Sequence, residues 1–342
     1  MNKTAVIICP GRGTYNATEL GYFHTHHQDK LGMLSEFDRL REQQNQQLLS
    51  DLDSAERYSV SRYTRGDIAS PLIYACSLAD TLAIRSDIEI VAVTGNSMGW
   101  YTALAAAQAV TPVDGFTIVN TMGALMQEYS IGGQLIYPFV DESWQDNTMN
   151  RQALLELIAN IDTKPDHTLK LSIDLGGMLV LAGNQTGLST FSSSVPRLQE
   201  RFPMTLTNHA AFHTLMQEPV ALAGRERLSS SLLKSPSIPL IDGRGHIWWP
   251  ESDLSDLWGY TLNTQVVETY HFTEAIRTAA QEFAPDLFIV AGPGNTLGGA
   301  VAQSLVLNDW HGMNSKTKFV ESQQADPCLI SMGMMQQRAL VT

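Results

Sequence analysis

The sequence predicts an α/β protein with a large domain whose mainly parallel sheet is flanked by helices. Two short, β-branched, apolar runs, residues 4–9 and 88–93, are typical of strands buried on both faces. Between them, residues 70–84 carry apolar side chains at helical spacing, with Pro71 suited to a first helical turn. Strands that alternate with helices in this way indicate a parallel sheet.

Composition narrows the classes of partner and compartment. A formal net charge of −13 over 342 residues argues against nucleic acid and anionic membranes, because a phosphate surface demands concentrated basic charge. The first apolar run is too short for a signal-peptide core, and no stretch approaches the roughly 20 apolar residues that span a bilayer. Three widely separated cysteines do not suggest a disulfide framework. We therefore expect a cytoplasmic protein.

The pattern changes between about residues 132 and 208. Strand-like runs at 134–140 and 176–183 accompany stretches that look helical, at 151–161 and 195–202. This pattern is typical of a small α+β subdomain inserted into a larger domain. Later apolar runs end in glycine-bearing loops at the carboxyl ends of predicted core strands, where ligands bind in such folds.

Residues 95–99 (GNSMG) fit the G-x-S-x-G nucleophile elbow, with a predicted strand before them and a predicted helix after. The sharp turn of an elbow exposes the serine hydroxyl, here that of Ser97. It also points the backbone N–H of the next residue, Met98, toward a developing oxyanion. The motif therefore predicts a serine nucleophile, but several enzyme classes share it.

Five further segments, in chain order, resemble the malonyl-CoA:acyl-carrier-protein transacylase family. Each is weak alone, but their order along nearly the whole chain is specific. They are residues 10–14 (PGRGT), 122–127 (MGALMQ), 176–183 (GGMLVLAG), 208–216 (NHAAFHTLM) and 292–297 (GPGNTL).

The resemblance implies a fold and a set of partners. The fold is an α/β-hydrolase-like large domain, residues 1–131 and 208–342, with a ferredoxin-like subdomain at 132–207. The implied substrates are an acyl-coenzyme A and an acyl carrier protein, with no cofactor and no metal.

The resemblance also implies roles for individual residues. Ser97 would form an acyl-enzyme with His213, rather than His209, as its base. The backbone N–H groups of Arg12 and Met98 would form the oxyanion hole. A backbone carbonyl near His271 would orient the base.

Two residues depart from the family pattern. Asn96 replaces the usual histidine before the serine, which predicts a tuned rather than an abolished activity. Met122 replaces the arginine that holds the malonyl carboxylate, and a thioether cannot do this. We expect four residues to line the acyl pocket, namely Met122, Arg12, Asn96 and Ser70. The identity of the acyl group stays open. Met122 favours a neutral acyl group, whereas a malonyl group would need Arg12 to bind its carboxylate in place of the missing arginine.

Other functions stay possible from the sequence. Relatives that lack the arginine can release acyl groups to water, so a proofreading acyl-thioester hydrolase is one alternative. A patatin-like lipase is another, because Asp242-Gly243-Arg244 partly matches the motif that supplies its catalytic aspartate. A non-catalytic carrier-docking subunit is a third, and the presence of both Ser97 and His213 argues against it.

Overall fold

The computed structural model describes residues 3–145 and 149–342, and in them the chain forms a six-stranded and a five-stranded sheet. The strands are β1 (Lys3–Cys9), β2 (Ile88–Gly95), β3 (Gly133–Pro138), β4 (Leu169–Leu175), β5 (Met178–Gly183), β6 (Met204–Thr205), β7 (Leu240–Ile241), β8 (Ile247–Trp248), β9 (Tyr270–His271), β10 (Leu287–Val290) and β11 (Leu329–Ser331). The helices are α1 (Tyr22–His26), α2 (Leu31–Gln43), α3 (Leu49–Asp53), α4 (Val60–Tyr63), α5 (Gly66–Thr81), α6 (Gly99–Ala106), α7 (Pro112–Tyr129), α8 (Arg151–Asp162), α9 (Gln185–Ser194), α10 (Glu218–Arg227), α11 (Leu254–Gly259), α12 (Gln265–Val267), α13 (Phe272–Phe283), α14 (Thr296–Leu307), α15 (Lys316–Ala325) and α16 (Met335–Arg338).

The larger sheet has the order β11-β10-β1-β2-β7-β8 and is parallel except for β8. Strand β1 is buried on both faces, because Ile7 and Cys9 pack into one core and Val6 and Ile8 into the other. Helices α5, α6 and α7 contribute to the first core, and α13 and α14 to the second. The predicted α/β class, with helices on both faces of a mainly parallel sheet, is confirmed.

Helix α5 begins earlier than the sequence predicts, at Gly66, so Pro71 lies inside the helix rather than in its first turn. Proline has no N–H and cannot bond the carbonyl four residues earlier. That carbonyl, of Asp67, instead accepts a hydrogen bond from the guanidinium of buried Arg41 at 3.0 Å. The side chain of a neighbouring helix thus compensates for the lost backbone bond.

The smaller sheet has the order β6-β3-β5-β4-β9 and is antiparallel apart from β9, which pairs in parallel with β4. Helices α8 and α9 pack on one of its faces. Strands β3 to β6 fall within the predicted subdomain, whereas β9 comes from the later part of the chain. The boundaries at residues 132 and 207 stay a prediction.

One predicted helix of this region is wrong. Residues 195–202 form a turn, in which Leu198 and Phe202 are bridged and Gln199 and Glu200 have φ of +48° and +57°. These two left-handed φ values exclude a continuous helix, because a right-handed helix needs negative φ at every residue. The helix lies just before this turn, as α9.

In the part of the chain that the structure describes, no helix combines the length and apolar character needed to cross a membrane.

Candidate active site

Ser97 lies at the sharp turn between β2 and α6, with a left-handed φ of +55°. A non-glycine residue rarely adopts this conformation, and such residues cluster at functional sites. Both flanking glycines are required by close backbone contacts. A Cβ on Gly95 would lie 2.4 Å from the Gly99 carbonyl, and a Cβ on Gly99 would lie 2.1 Å from the Cys9 carbonyl oxygen. The predicted elbow is therefore present, with its serine just after the carboxyl end of β2.

The Ser97 hydroxyl and the His213 imidazole form a hydrogen bond, with 2.7 Å between Oγ and Nε2. Residue 213 also has a left-handed φ, of +57°, and its backbone N–H donates to the Val266 carbonyl at 3.1 Å. The imidazole is therefore positioned through its backbone as well as through its ring.

The ring Nδ1 of His213 lies 2.6 Å from the backbone carbonyl oxygen of Gln265. A carbonyl only accepts, so Nδ1 carries the proton and Nε2 is free to accept the proton of Ser97. The side-chain amide of Gln265 donates to the Ser97 carbonyl at 2.9 Å and accepts from the Tyr101 hydroxyl at 3.2 Å. Gln265 therefore holds both members of the pair.

The prediction that a carbonyl near His271 orients the base is wrong. His271 lies in β9, which pairs with β4, and its backbone N–H donates to the Gly243 carbonyl at 2.6 Å. The carbonyl that contacts His213 belongs instead to Gln265, earlier in the chain than His271. A π-helical turn, Tyr260–Thr264, leads into α12, whose first residue is Gln265. Single π-helical turns are rare and frequent at functional sites. Sequence reasoning missed Gln265, since no local residue pattern identifies a backbone carbonyl.

The two backbone N–H groups expected to form an oxyanion hole, those of Arg12 and Met98, have no acceptor among the described residues. The loop after β1 packs directly on the elbow, because a Cβ on Gly11 would lie 2.6 Å from the Asn96 carbonyl oxygen. Met98 also lies at the N-cap of α6, where the helix dipole favours negative charge. Both donors are thus available next to Ser97.

The guanidinium of Arg12 is engaged by the protein. It donates to the backbone carbonyls of Thr64 and Asn208, the latter at 2.9 Å, and lies 5.3 Å from the Phe212 ring centre. Burial lowers the pKa of Arg12 to about 10, and the neighbouring carboxylate of Asp67 opposes this. Both hydrogen bonds come from Nη2, whereas Nε is buried without a hydrogen-bond partner in the described residues. The side chain is therefore charged near neutral pH and only partly engaged by carbonyls.

Two residues predicted to line the acyl pocket lie elsewhere. Met122 is fully buried in α7, where a Cβ on Gly224 would lie 2.7 Å from its sulfur. Ser70 is buried where α5 packs closely against Gly123 of α7. Neither lines the cavity at Ser97, because the two helices pack too closely to leave space there.

Ser97 opens into a cleft of about 440 Å³ between the smaller sheet and α14. Its polar lining includes Arg12, Asn96 and His209 near the serine and Arg201 elsewhere in the cleft. The carboxamide oxygen of Asn96 is buried without a hydrogen-bond partner in the described residues. The rest of the lining is mostly aliphatic, and the volume is within the range of small-molecule sites.

His209 lines the cleft but does not contact Ser97. Its Nδ1 lies 2.8 Å from the side-chain oxygen of Gln134, so this ring nitrogen donates to the amide. Burial, followed by the nearby charge of Arg12, lowers the pKa of His209 well below its usual value. The residue is a neutral, fixed part of the cleft wall.

The aspartate of the patatin-like alternative has other partners. Asp242 is fully buried and accepts hydrogen bonds from the Arg244 guanidinium and the Trp248 indole, the latter at 3.1 Å. The hydrogen-bond partner of the Ser97 hydroxyl is His213 instead. This arrangement does not support a Ser–Asp dyad.

Burial lowers the pKa of His213 from 6.5 to about 4, and the hydrogen bond to the Gln265 carbonyl opposes this only in part. A lowered pKa keeps the imidazole neutral, and therefore able to accept a proton, at all pH values well above 4.

Known proteins support the family resemblance. No sequence profile of a known family matches the chain. The malonyl CoA-acyl carrier protein transacylase of Bacillus subtilis (strain 168) is 23% identical over 208 residues, which is 60% of this chain and 62% of that protein. The similarity therefore spans under two thirds of the curated relative.

Solved structures match over nearly the whole chain. An acyl-carrier-protein S-malonyltransferase from Burkholderia pseudomallei 1710b superposes with a TM-score of 0.74 at 18% identity, covering 99% of both chains. The chain has the fold of the malonyl-CoA:acyl-carrier-protein transacylases. A malonyl-transacylase solved with its type II polyketide synthase acyl-carrier protein matches with a TM-score of 0.71 at 15% identity, covering 94% of this chain and 99% of that one. These likenesses confirm the predicted large α/β domain with a small ferredoxin-like subdomain.

The lowered pKa of His213 predicts an unusual pH profile for acylation of Ser97. We expect kcat/KM for acylation to be nearly constant between about pH 6 and pH 8 and to fall only as the pH approaches about 4. Stopped-flow or quenched-flow acylation measured across this range tests it, with tryptophan fluorescence as a control for folding. An acid limb with its midpoint near an ordinary histidine value would contradict the prediction.

The burial of Met122 predicts that Met122→Arg damages the fold rather than installing a carboxylate clamp. An unpaired charge in this core is expected to destabilise the protein by about 3–5 kcal/mol, whereas the volume-conserving Met122→Leu should cost less than about 1.5 kcal/mol. Urea unfolding of the two variants measures this difference. An arginine variant as stable as wild type, with malonyl loading increased, would show that position 122 reaches the acyl site.

Proposed function

We propose that this protein is an acyltransferase that moves an acyl group from coenzyme A to the phosphopantetheine thiol of an acyl carrier protein through an ester on Ser97. The observation that carries the proposal is the 2.7 Å contact between Ser97 Oγ and His213 Nε2, with Nδ1 held by the Gln265 carbonyl. The family resemblance and the shared fold support the choice of thioester substrates.

In the first half-reaction, Oγ of Ser97 attacks the thioester carbonyl while its proton passes to Nε2 of His213. The new C–O bond forms, and negative charge collects on the carbonyl oxygen, which the N–H groups of Arg12 and Met98 stabilise. When the C–S bond breaks, His213 returns the proton to the coenzyme A sulfur. Atoms and charge balance, and the imidazole is neutral again.

The second half-reaction reverses this sequence with a different thiol. His213 takes the proton of the carrier thiol, the thiolate attacks the Ser97 ester, and the Oγ–C bond breaks as the serine regains its proton. The neighbour solved with its acyl-carrier protein supports a carrier as acceptor. Water in place of the thiol would give hydrolysis, and the ratio of the two products distinguishes transferase from hydrolase.

We propose an uncharged acyl group. Of the arginines that line the cleft, Arg12 is held at Nη2 by two carbonyls, with Nη1 beside Gly66 at the start of α5. Arg201 lies 4.6 Å from the Phe202 ring centre just before the edge strand β6. A free carboxylate buried without a bidentate partner is strongly disfavoured. Malonyl loading at least ten times faster than acetyl loading would contradict this part of the proposal.

We expect Ser97 to be the residue that carries the acyl group. Intact-protein mass spectrometry after incubation with a panel of acyl-coenzyme A thioesters should show an added acyl mass. Ser97→Ala should abolish this mass without loss of stability, and Thr102→Ala, in the helix that follows, is a matched control that should keep it. A covalent acyl adduct that persists on the Ser97 variant would refute the assignment.

We expect His213, and not His209, to be the general base. His213→Ala should slow acylation by about 10²-fold or more, because the proton of Ser97 then has no positioned acceptor. His209→Ala removes only a contact to Gln134 and should have a much smaller effect. Single-turnover acylation rates of the two variants, with circular dichroism as a folding control, make the comparison. The reverse ranking would falsify the role of His213.

A further inference from the structure

An aliphatic row crosses the face of the smaller sheet that lines the cleft. Four side chains occupy neighbouring positions on adjacent strands, because Ile173 pairs with Val180, Val180 with Ile136, and Ile136 with Met204. All four line the cleft that opens at Ser97. The opposite face of the same strands packs on α8 and α9, so this row is the part of the sheet that faces a cavity.

The row begins next to the nucleophile. Ile173 also pairs with Tyr270 of β9, whose hydroxyl donates to the Gly95 carbonyl in the elbow at 2.5 Å. From β4 to β6 the row crosses three strand spacings, which is about 14 Å. An extended chain advances about 1.2 Å per bond, so the row has room for a linear chain of up to about twelve carbons.

The other direction from Ser97 is closed to an acyl group. Arg12 occupies the space beside Gly66 at the start of α5, where its guanidinium would lie 3.6 Å from a Cβ on that glycine. Met122 fills the core behind, against Gly224. An acyl group on Ser97 is therefore directed into the cleft.

Away from Ser97, most of the cleft lining is aliphatic, which suits a hydrocarbon chain. The Gln134 side chain in this wall already donates to Ser172 at 2.6 Å and accepts from His209. We propose that the cleft is a site for an uncharged, linear acyl chain of medium length, with the aliphatic row as its length-determining surface. This inference rests on the proposed acyl transfer through Ser97.

The test uses N-acetylcysteamine thioesters, which lack most of the arm, alongside the coenzyme A thioesters. We expect octanoyl and decanoyl groups to load Ser97 at least about 30-fold faster than acetyl, measured as kcat/KM, in both series, because each buried methylene favours binding. Malonyl should load no faster than acetyl in either series.

Two bulky substitutions in the cleft test whether the aliphatic row causes the preference for longer acyl chains. Ile136→Trp and the half-exposed Met204→Trp should each reduce the octanoyl-to-acetyl ratio by about tenfold or more, since bulk at either position shortens the space for the chain. Leu222→Trp, at an exposed position of α10 outside the cleft lining, is the matched control and should leave the ratio unchanged. Met204 lies on an edge strand, so its variant tests the proposal even if Ile136→Trp fails to fold.

The outcomes separate the inference from the proposed function. Ser97 loading that is confined to two- and three-carbon groups would overturn the medium-chain site while leaving the acyltransferase proposal intact. Variants that slow every coenzyme A thioester equally, but no N-acetylcysteamine thioester, would assign the cleft to the arm and also overturn it. No loading by any thioester would refute the proposed function itself.

Discussion

The hydrogen bond between His213 Nδ1 and the Gln265 carbonyl is the contact on which the candidate site depends. It fixes the tautomer, and with it the ability of Nε2 to accept from Ser97. A buried N–H without an acceptor would cost about 1–3 kcal/mol, so the ring has no comparable alternative position. A backbone carbonyl orients the imidazole without adding a negative charge. Burial can therefore keep the imidazole neutral.

The fold brings Ser97, His213 and the Gln265 carbonyl together. Strands β1 and β2 pair in parallel and end side by side, so the loop after β1 packs against the elbow after β2. The π-helical turn then sets the Gln265 carbonyl at His213, while its side chain reaches the backbone of Ser97. Because one residue contacts both partners, a shift of this segment would move base and nucleophile together.

The sequence was sufficient for features with a local cause. The elbow was predictable because only glycine fits the positions flanking Ser97, and the core strands because runs buried on both faces are continuously apolar. The helix expected at residues 195–202 was wrong because Gln199 and Glu200 adopt left-handed φ in a turn, which their residue types do not reveal. Gln265 was missed because a backbone carbonyl has no residue signature, and placing it needs the tertiary course of the chain. Ser70 and Met122 were misplaced for the same reason, since helix packing decides which face of α5 and α7 meets the cleft.

Arg12 and Met122 both fill space on the α5 and α7 side of the site. The backbone N–H of Arg12 has no acceptor in the described residues, while its side chain lies beside α5 and donates to the Thr64 and Asn208 carbonyls. Met122 is fully buried in a packed core, whereas a residue that binds a carboxylate at this position would need a cavity beside it. On the proposed function, an acyl group on Ser97 would extend along the aliphatic sheet face, and its length rather than its charge would decide how well it fits. In that case apolar burial along this face, and not only the absence of an arginine at position 122, would set the preference for an uncharged chain.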